Sequence, residues 1–284
     1  MIEFLAEILS QDFMVRALAG GALVGVACAM LGVLVFQRGI TFVGDGLAHS
    51  MFGAAGIIAL LNIVEGSQMV LWASLPLNVL VGFAMAWVRR TGRLRGDAAI
   101  GIFFPIMFAA GVLCLTLRRN LGAPPLNMEA LLFGSVLGMS ATDLAITMVG
   151  ALGIALIVLT WGRRIAYAAF DPDLASLSGV RVALAEYALF GLCAAVVAIS
   201  ARFAGVVLVS SLLAIPAGAA ALWRGSYGWQ LLFASIFASA SVKIGLMLAW
   251  LIDAPPGALI ILTMGALFLV SLITRLLVPA NVRQ

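Results

Sequence analysis

The stretch TFVGDGLAHSMFGAAGIIALLN, residues 41–62, decides the fold class of this chain. It is apolar and long enough to cross the roughly 30 Å hydrocarbon core of a bilayer as one helix. Asp45 and His49, the only histidine of the chain, interrupt it four residues apart, a spacing that places both side chains on one face of a helix. Ionisable residues inside a span are costly to bury, and this pair is therefore the first candidate for a functional site.

The composition of the chain is typical of a polytopic membrane protein. Hydrophobic residues make up 64% of it and charged residues 10%, a balance that excludes an ordinary soluble domain. We therefore predict an all-α fold with eight to nine transmembrane helices in a single domain over residues 1–284. The lower number applies if two adjoining segments form one broken helix. The predicted spans lie near residues 14–36, 41–62, 69–88, 98–117, 142–161, 182–201, 203–223, 229–252 and 257–277.

The arginines predict an orientation in the membrane. The loop 89–95 carries the strongest basic cluster and is expected on the cytoplasmic side, because short cytoplasmic loops are enriched in Lys and Arg. With nine alternating spans, the N-terminus then lies outside and the C-terminus inside. Arg118, Arg119 and Arg202 fall on the outer side as exceptions. The net charge of +4 thus reflects membrane topology, and no nucleic-acid partner is predicted.

Three smaller features complete this pass along the chain. Residues 1–10 lack the basic n-region of a cleavable signal peptide and are expected to form an amphipathic helix at the membrane interface. Residues 127–139 are apolar but too short to span, and we expect them on the outer side. Cys28, Cys114 and Cys193 are widely separated in three apolar segments, which favours small buried hydrophobes over a disulfide framework.

A short helix is predicted outside the membrane within residues 170–180. The run Asp171-Pro172-Asp173 is a helix-start signal, with a side-chain acceptor at the N-cap, proline at the first position and an acid in the first turn. Gly179 is a suitable C-terminal stop. We expect about two turns, with Leu174 and Leu177 as contact groups. The helix either docks on another protein or is an ordinary surface helix.

Asp45 and His49 together suit a divalent transition metal, because carboxylate and imidazole are common ligands for such ions. One helix supplies two ligands, whereas a tetrahedral site requires four. A two-fold homodimer could supply the other pair, and other side chains or water could do so instead. A structural pair, with the imidazole N–H bonded to the carboxylate, is the alternative, and a proton relay is another. No His-Glu-x-x-His motif supports a zinc peptidase.

Further polar and helix-breaking residues lie inside apolar segments. Lys243, the only lysine, and Glu186 are each expected to pair internally or to reach toward the interface. Pro105 and Pro216 are expected to kink or break their helices, and residues 212–218 are a candidate unwound stretch.

The chain contains no Gly-x-x-x-x-Gly-Lys-Ser/Thr motif and therefore does not bind ATP by a P-loop. If ATP drives transport, the ATPase is another polypeptide. Such a subunit would give the helix within 170–180 its partner.

The chain resembles the membrane permeases of ABC importers for zinc, manganese and iron. The form Gly-Asp-x-Leu-Ala-His around Asp45 and His49 is the most specific part of the resemblance, and it is closer to zinc than to manganese members. Lys243, Pro105 and Arg202 depart from the family pattern. The likeness covers nearly the whole chain and rests on four stretches: residues 38–53, 97–111, 131–140 and 170–221.

This resemblance implies a vitamin-B12-importer-like permease architecture and a transporter rather than an enzyme. It implies as partners a second permease copy, a cytoplasmic ATP-binding subunit, an extracytoplasmic metal-binding protein and membrane lipid, in the bacterial cytoplasmic (inner) membrane. The transported ion would be Zn²⁺, with Mn²⁺ or Fe²⁺ as alternatives, and no cofactor would be permanently bound. Asp45 and His49 match the metal-pathway residues. The residues that match the ATPase-coupling segment are Phe170, Asp171, Asp173, Leu174, Leu177 and Gly179.

The sequence leaves two other transport functions as alternatives. A permease for a metal chelate, such as a siderophore or cobalamin, would need a wide cavity and would not need Asp45 and His49. A proton-coupled secondary transporter should show internal repeats and no docking helix. An integral-membrane enzyme is the third alternative, and the lack of a catalytic constellation counts against it.

Overall fold

The computed structural model describes residues 10–62, 66–92, 94, 97–122, 140–223 and 225–277. Helices form almost all of this part of the chain, and it contains no strand. The helices are α1 (Asp12–Gln37), α2 (Val43–Leu60), α3 (Ser67–Thr91), α4 (Ala98–Asn120), α5 (Ala141–Phe170), α6 (Pro172–Leu177), α7 (Val182–Leu222), α8 (Tyr227–Ile252) and α9 (Pro256–Leu277). The predicted interfacial helix at residues 1–10, apart from Ser10, and the predicted outer stretch 127–139 lie outside the described residues.

Eight segments within these residues are long and apolar enough to cross a membrane, and a shorter apolar helix covers Val207–Leu222. The number confirms the predicted eight to nine spans. The shorter helix is the second half of α7, which is broken at Gly205 (φ 68°, ψ 169°). That backbone conformation is accessible essentially only to glycine. The predicted unwound stretch at residues 212–218 is wrong, because the backbone is helical through Pro216.

The chain reverses direction at Gly205. Glu186, near the start of α7, lies within 3.4 Å of Arg38, which caps the end of α1. Gln230, near the start of α8, accepts a 2.9 Å hydrogen bond from Gln37 at that same end of α1. Both ends of α7 therefore lie on one side of the bundle, so its first half leaves that side and its second half returns. This arrangement matches the predicted alternation of nine passes.

Basic residues mark the side to which α7 returns. Arg38, Arg89 and Arg90 converge there on Glu186, and we call this side the basic end. At the other end, Arg118 Nε donates to the Ala59 carbonyl oxygen at 3.1 Å. The expectation that Glu186 pairs internally is confirmed.

Lys243 and the three cysteines have the environments that their chemistry allows. Lys243 is exposed on α8 and forms no salt bridge with any described residue. Of the two expectations for Lys243, its exposed position agrees with a side chain that reaches toward the interface. Cys28 and Cys193 are fully buried free thiols, as predicted, while Cys114 is only partly buried.

Glycine allows α2 and α4 to pack backbone against backbone. A Cβ atom added to Gly111 of α4 would lie 3.0 Å from the Gly53 Cα atom and 2.8 Å from the Phe52 ring, and one added to Gly56 would lie 2.8 Å from the Gly111 Cα atom. Contacts this short between spanning helices depend on small residues. They fix α2, which carries Asp45 and His49, against α4.

Gly111→Ala is expected to destabilise the protein by about 1–3 kcal/mol, since the added methyl group must displace the α2 backbone or the Phe52 ring. Thermal unfolding in detergent, followed by tryptophan fluorescence, measures the effect. Gly101→Ala on the same helix is the matched control, because a Cβ there meets no atom within 4 Å. Equal unfolding temperatures for the two variants would contradict the close α2–α4 packing.

Candidate metal site and its surroundings

Asp45 and His49 lie on the one strip of α2 that is not covered by neighbouring helices. Val43, Gly44 and residues 46–48 of the first turns are buried, whereas both candidate ligands are partly exposed. Asp45 lies in the first turn, where the helix dipole favours a negative charge. The structure therefore places the two side chains on a shared, accessible face, as their spacing predicts.

The imidazole of His49 is oriented by the backbone. Its Nδ1 atom lies 2.9 Å from the Asp45 carbonyl oxygen. A carbonyl oxygen can only accept, so Nδ1 carries the hydrogen in this bond. The neutral ring then has its lone pair on Nε2, which is one of the two arrangements in which a histidine binds a metal ion. The alternative in which the imidazole N–H bonds to the Asp45 carboxylate is wrong, because the carbonyl oxygen takes that place.

Two phenylalanines of α4 surround the His49 ring. The ring centroid of Phe104 lies 4.4 Å from that of His49 and that of Phe108 lies 5.8 Å away, both in edge-on geometry. Phe108 in turn stacks on Phe52 of α2 at 5.2 Å. These aromatic contacts restrict the rotation of the imidazole. Sequence reasoning missed them, although the spacing of Phe104 and Phe108 places both on one face of α4.

The Asp45 carboxylate remains free to bind a ligand. It receives no hydrogen bond and no salt bridge from the described residues. Within those residues, no group of three or more His, Cys, Asp or Glu side chains could hold a metal ion. One copy of the chain thus offers two candidate metal ligands here, and a complete coordination sphere would need others.

The predicted helix within 170–180 is present as α6. The Asp171 carboxylate caps it by accepting from the amides of Asp173 and Leu174 at 3.1 and 3.0 Å. Gly179, with φ 80°, ends it in a turn that any other residue would strain. Both signals identified in the sequence act as predicted.

One part of the exposed surface at α6 is apolar. Leu177 is 84% exposed, Leu174 53%, and the preceding Phe170 87%, whereas Ala175 is buried against the bundle. Large hydrophobic side chains this exposed on a short polar-flanked helix mark a contact surface. We call Phe170, Leu174 and Leu177 the α6 surface.

Four charged side chains form a cluster at the basic end. Arg89 donates to Glu186 Oε1, while Arg38 and Arg90 lie 3.4 and 3.6 Å from Glu186 Oε2. The Glu186 side chain is only 6% exposed, and burial of an anion is tolerated because it is paired. Burial lowers the pKa of the Arg38 guanidinium, and the Glu186 carboxylate opposes this shift. The sequence indicated the arginines as topology signals but did not predict their convergence.

Comparison with known proteins assigns the family. Residues 10–275 match the ABC 3 transport family. The chain is 29% identical to "Manganese transport system membrane protein MntC" of Halalkalibacterium halodurans, over 93% of this chain and 88% of that protein. It is 30% identical to "Probable metal transport system membrane protein" of Thermotoga maritima, over 94% and 92%. It is 26% identical to "Chelated iron transport system membrane protein YfeD" of Yersinia pestis, over 100% and 93%.

The fold agrees with this family. The chain superposes on PsaBC from Streptococcus pneumoniae, solved in complex with Fab, with a TM-score of 0.80 and 24% identity over 95% of each chain. The two chains therefore share one fold. The chain belongs to the ABC 3 transport family as a membrane permease subunit of the metal ABC transporters, and ATP hydrolysis resides in a separate subunit.

Proposed function

We propose that this chain is the permease of an importer of free divalent transition-metal ions, with Asp45 and His49 lining the metal pathway. The observation that carries the proposal is the orientation of His49, whose Nδ1 is bonded to the Asp45 carbonyl oxygen at 2.9 Å. The remaining lone pair on Nε2 and the Asp45 carboxylate, which has no partner among the described residues, form a candidate ligand pair on a partly exposed face of a span. Imidazole and carboxylate together suit zinc, manganese and iron.

The immediate surroundings of His49 favour a small cargo over a metal chelate. Phe104 and Phe108 pack directly against the imidazole at 4.4 and 5.8 Å between ring centroids. A siderophore or cobalamin would need a wide opening at this level, and it would not need two metal ligands. The family assignment also counts against a proton-coupled transporter, since the permeases of this family work with a separate ATPase.

Zinc is the proposed substrate for two reasons. The form of the motif around Asp45 and His49 is closer to that of zinc permeases, and imidazole nitrogen prefers the later divalent metals. Relatives named for manganese and chelated iron keep Mn²⁺ and Fe²⁺ as competitors. Uptake of radioactive zinc into proteoliposomes that contain the whole transporter, in competition with each of the other ions, ranks the three. If Mn²⁺ lowers the uptake of radioactive zinc more than unlabelled Zn²⁺ does, the preferred substrate is manganese and not zinc.

A second copy of the chain is proposed to complete the coordination sphere. One copy supplies two ligands among the described residues, and a two-fold axis beside α2 would bring together two Asp45 and two His49 side chains. The transporter would further contain cytoplasmic ATP-binding subunits at the α6 surface and an extracytoplasmic metal-binding protein at the opposite end. The arginines support this orientation, and the proposed location is the cytoplasmic (inner) membrane of a bacterium.

Cysteine cross-linking tests the symmetry. Val112 lies on the face of α4 that carries Phe104 and Phe108, and it is exposed in the single chain. In a Cys114→Ser background, Val112→Cys is expected to form a cross-linked dimer on mild oxidation. Ile106→Cys is the control, because Ile106 is also exposed but lies on the opposite side of α4 from Phe108. Cross-linking that is confined to Ile106→Cys would contradict an axis next to α2.

A further inference from the structure

Arg38 contacts both helices that flank α6. Its Nη1 atom donates to the carbonyl oxygens of Ala168 and Ala169, each at 3.3 Å, in the last turn of α5. Its Nη2 atom donates to Glu186 Oε2 at 3.4 Å, near the start of α7. Since α6 connects α5 to α7, any displacement of α6 that separates its two flanking helices must stretch or break the contacts of Arg38.

The same residue begins the turn that leads into α2. Arg38 caps the end of α1. Gly39 follows with φ 68°, and the amides of Gly39 and Ile40 bond to the carbonyl oxygens of Phe36 and Val35 at 3.0 and 3.2 Å. These bonds form a Schellman motif, which makes the turn stiff. Asp45 lies seven residues after Arg38 and His49 eleven, so a displaced Arg38 backbone moves the start of α2.

We propose that Arg38 is a positioning residue that couples movement of α6 to the orientation of the metal-ligand pair on α2. This inference rests on the proposed function, in which the ATP-binding subunit moves α6. The route is short. It runs from α6 through the end of α5 and the start of α7 to Arg38, and from Arg38 through the stiff turn into α2.

The chemistry of arginine is what the position requires. One planar guanidinium presents several donors in fixed directions, so it can bond to two carbonyl oxygens and a carboxylate at once. Lysine carries the same charge on a single nitrogen and cannot span these partners. Arg89 remains on Glu186 in either case, so the buried carboxylate stays neutralised and the bundle should fold without Arg38.

Arg38→Lys therefore tests the link with the charge retained, in the complete transporter in proteoliposomes. We expect wild-type assembly and ATP hydrolysis within about twofold, with about tenfold less zinc moved per ATP hydrolysed, because hydrogen bonds to a charged group are lost. Arg90→Lys is the matched control. Arg90 also approaches Glu186 but is 37% exposed and has no hydrogen bond to the described part of α5, so its ratio of zinc to ATP should not change.

Two results would overturn the inference. One is a wild-type ratio of zinc to ATP in Arg38→Lys. The other is loss of hydrolysis and transport in equal proportion together with reduced assembly, which would show a purely structural contact. Absence of ATP-dependent zinc, manganese or iron uptake in the wild-type transporter would instead sink the proposed function, before any variant is compared.

Discussion

His49→Ala is expected to lower metal uptake by at least about a hundredfold while leaving the amount of assembled permease nearly unchanged. Loss of residues that merely support a metal ligand already costs 10–100-fold, and in a two-fold dimer this substitution removes both imidazoles. The substitution removes the contacts of the His49 ring with Phe104 and Phe108, but the close approach of α2 to α4 at Gly53, Gly56 and Gly111 remains. Asp45→Ala should act in the same way through loss of the carboxylate. The measurement is uptake of zinc and manganese by a strain without its own importers.

Ser50→Ala provides the matched control for that experiment. Ser50 is adjacent to His49 on the same helix but is fully buried, and its hydroxyl donates to the Gly46 carbonyl oxygen at 2.7 Å. It cannot touch an ion on the accessible strip of α2, so its removal should leave uptake close to wild type. Wild-type uptake by His49→Ala and Asp45→Ala at matched expression would refute the metal assignment.

Leu177→Asp is expected to abolish binding of the ATP-binding subunit, with at least about a tenfold loss of both co-purification and metal-stimulated ATP hydrolysis. Leu177 is 84% exposed in the isolated chain, so it is free to enter a socket on a partner. A carboxylate forced into such a desolvated socket costs several kcal/mol. Leu174→Asp should act in the same direction but less strongly, since this side chain is 53% exposed and already half covered by its own bundle.

Ser176→Asp separates the effect of position from the effect of charge. It adds a carboxylate to the same helix, on a different side from Leu174 and Leu177. Binding of the ATP-binding subunit should be nearly retained. If all three variants bind and hydrolyse like wild type, α6 is a solvated surface helix and the docking proposal is wrong.

Capping and spacing signals in the sequence predicted those features whose bonds join residues close together in the chain. Asp171, Pro172 and Gly179 determine the bounds of α6 through bonds that span only a few positions, and all three act as expected. The spacing of Asp45 and His49 likewise predicted one shared face. Such features could be read directly because the partners are at most one helical turn apart.

Features that depend on distant partners could not be predicted in this way. Glu186 is 148 residues from Arg38 and 97 from Arg89, and no spacing rule connects them. The spans predicted at 182–201 and 203–223 place a break near residue 202, close to the observed one. The further break predicted near Pro216 is absent, because neighbouring helices can satisfy the backbone groups that proline leaves free. Gly205 instead adopts a backbone conformation that tertiary packing selects. The orientation of His49 similarly depends on a carbonyl group, which no side-chain pattern displays.

The two halves of the hairpin at Gly205 differ in length. The first half contains a full-length span, Val182–Ala201, whereas Val207–Leu222 is shorter than the spans and at 1.5 Å per residue extends about 24 Å, less than the roughly 30 Å of the hydrocarbon core. The reversal between them is buried at Gly205, and peptide groups that lipid cannot solvate need partners from protein or trapped water. The helices around Gly205 therefore shelter the turn of this hairpin from lipid, which the two halves could not do on their own.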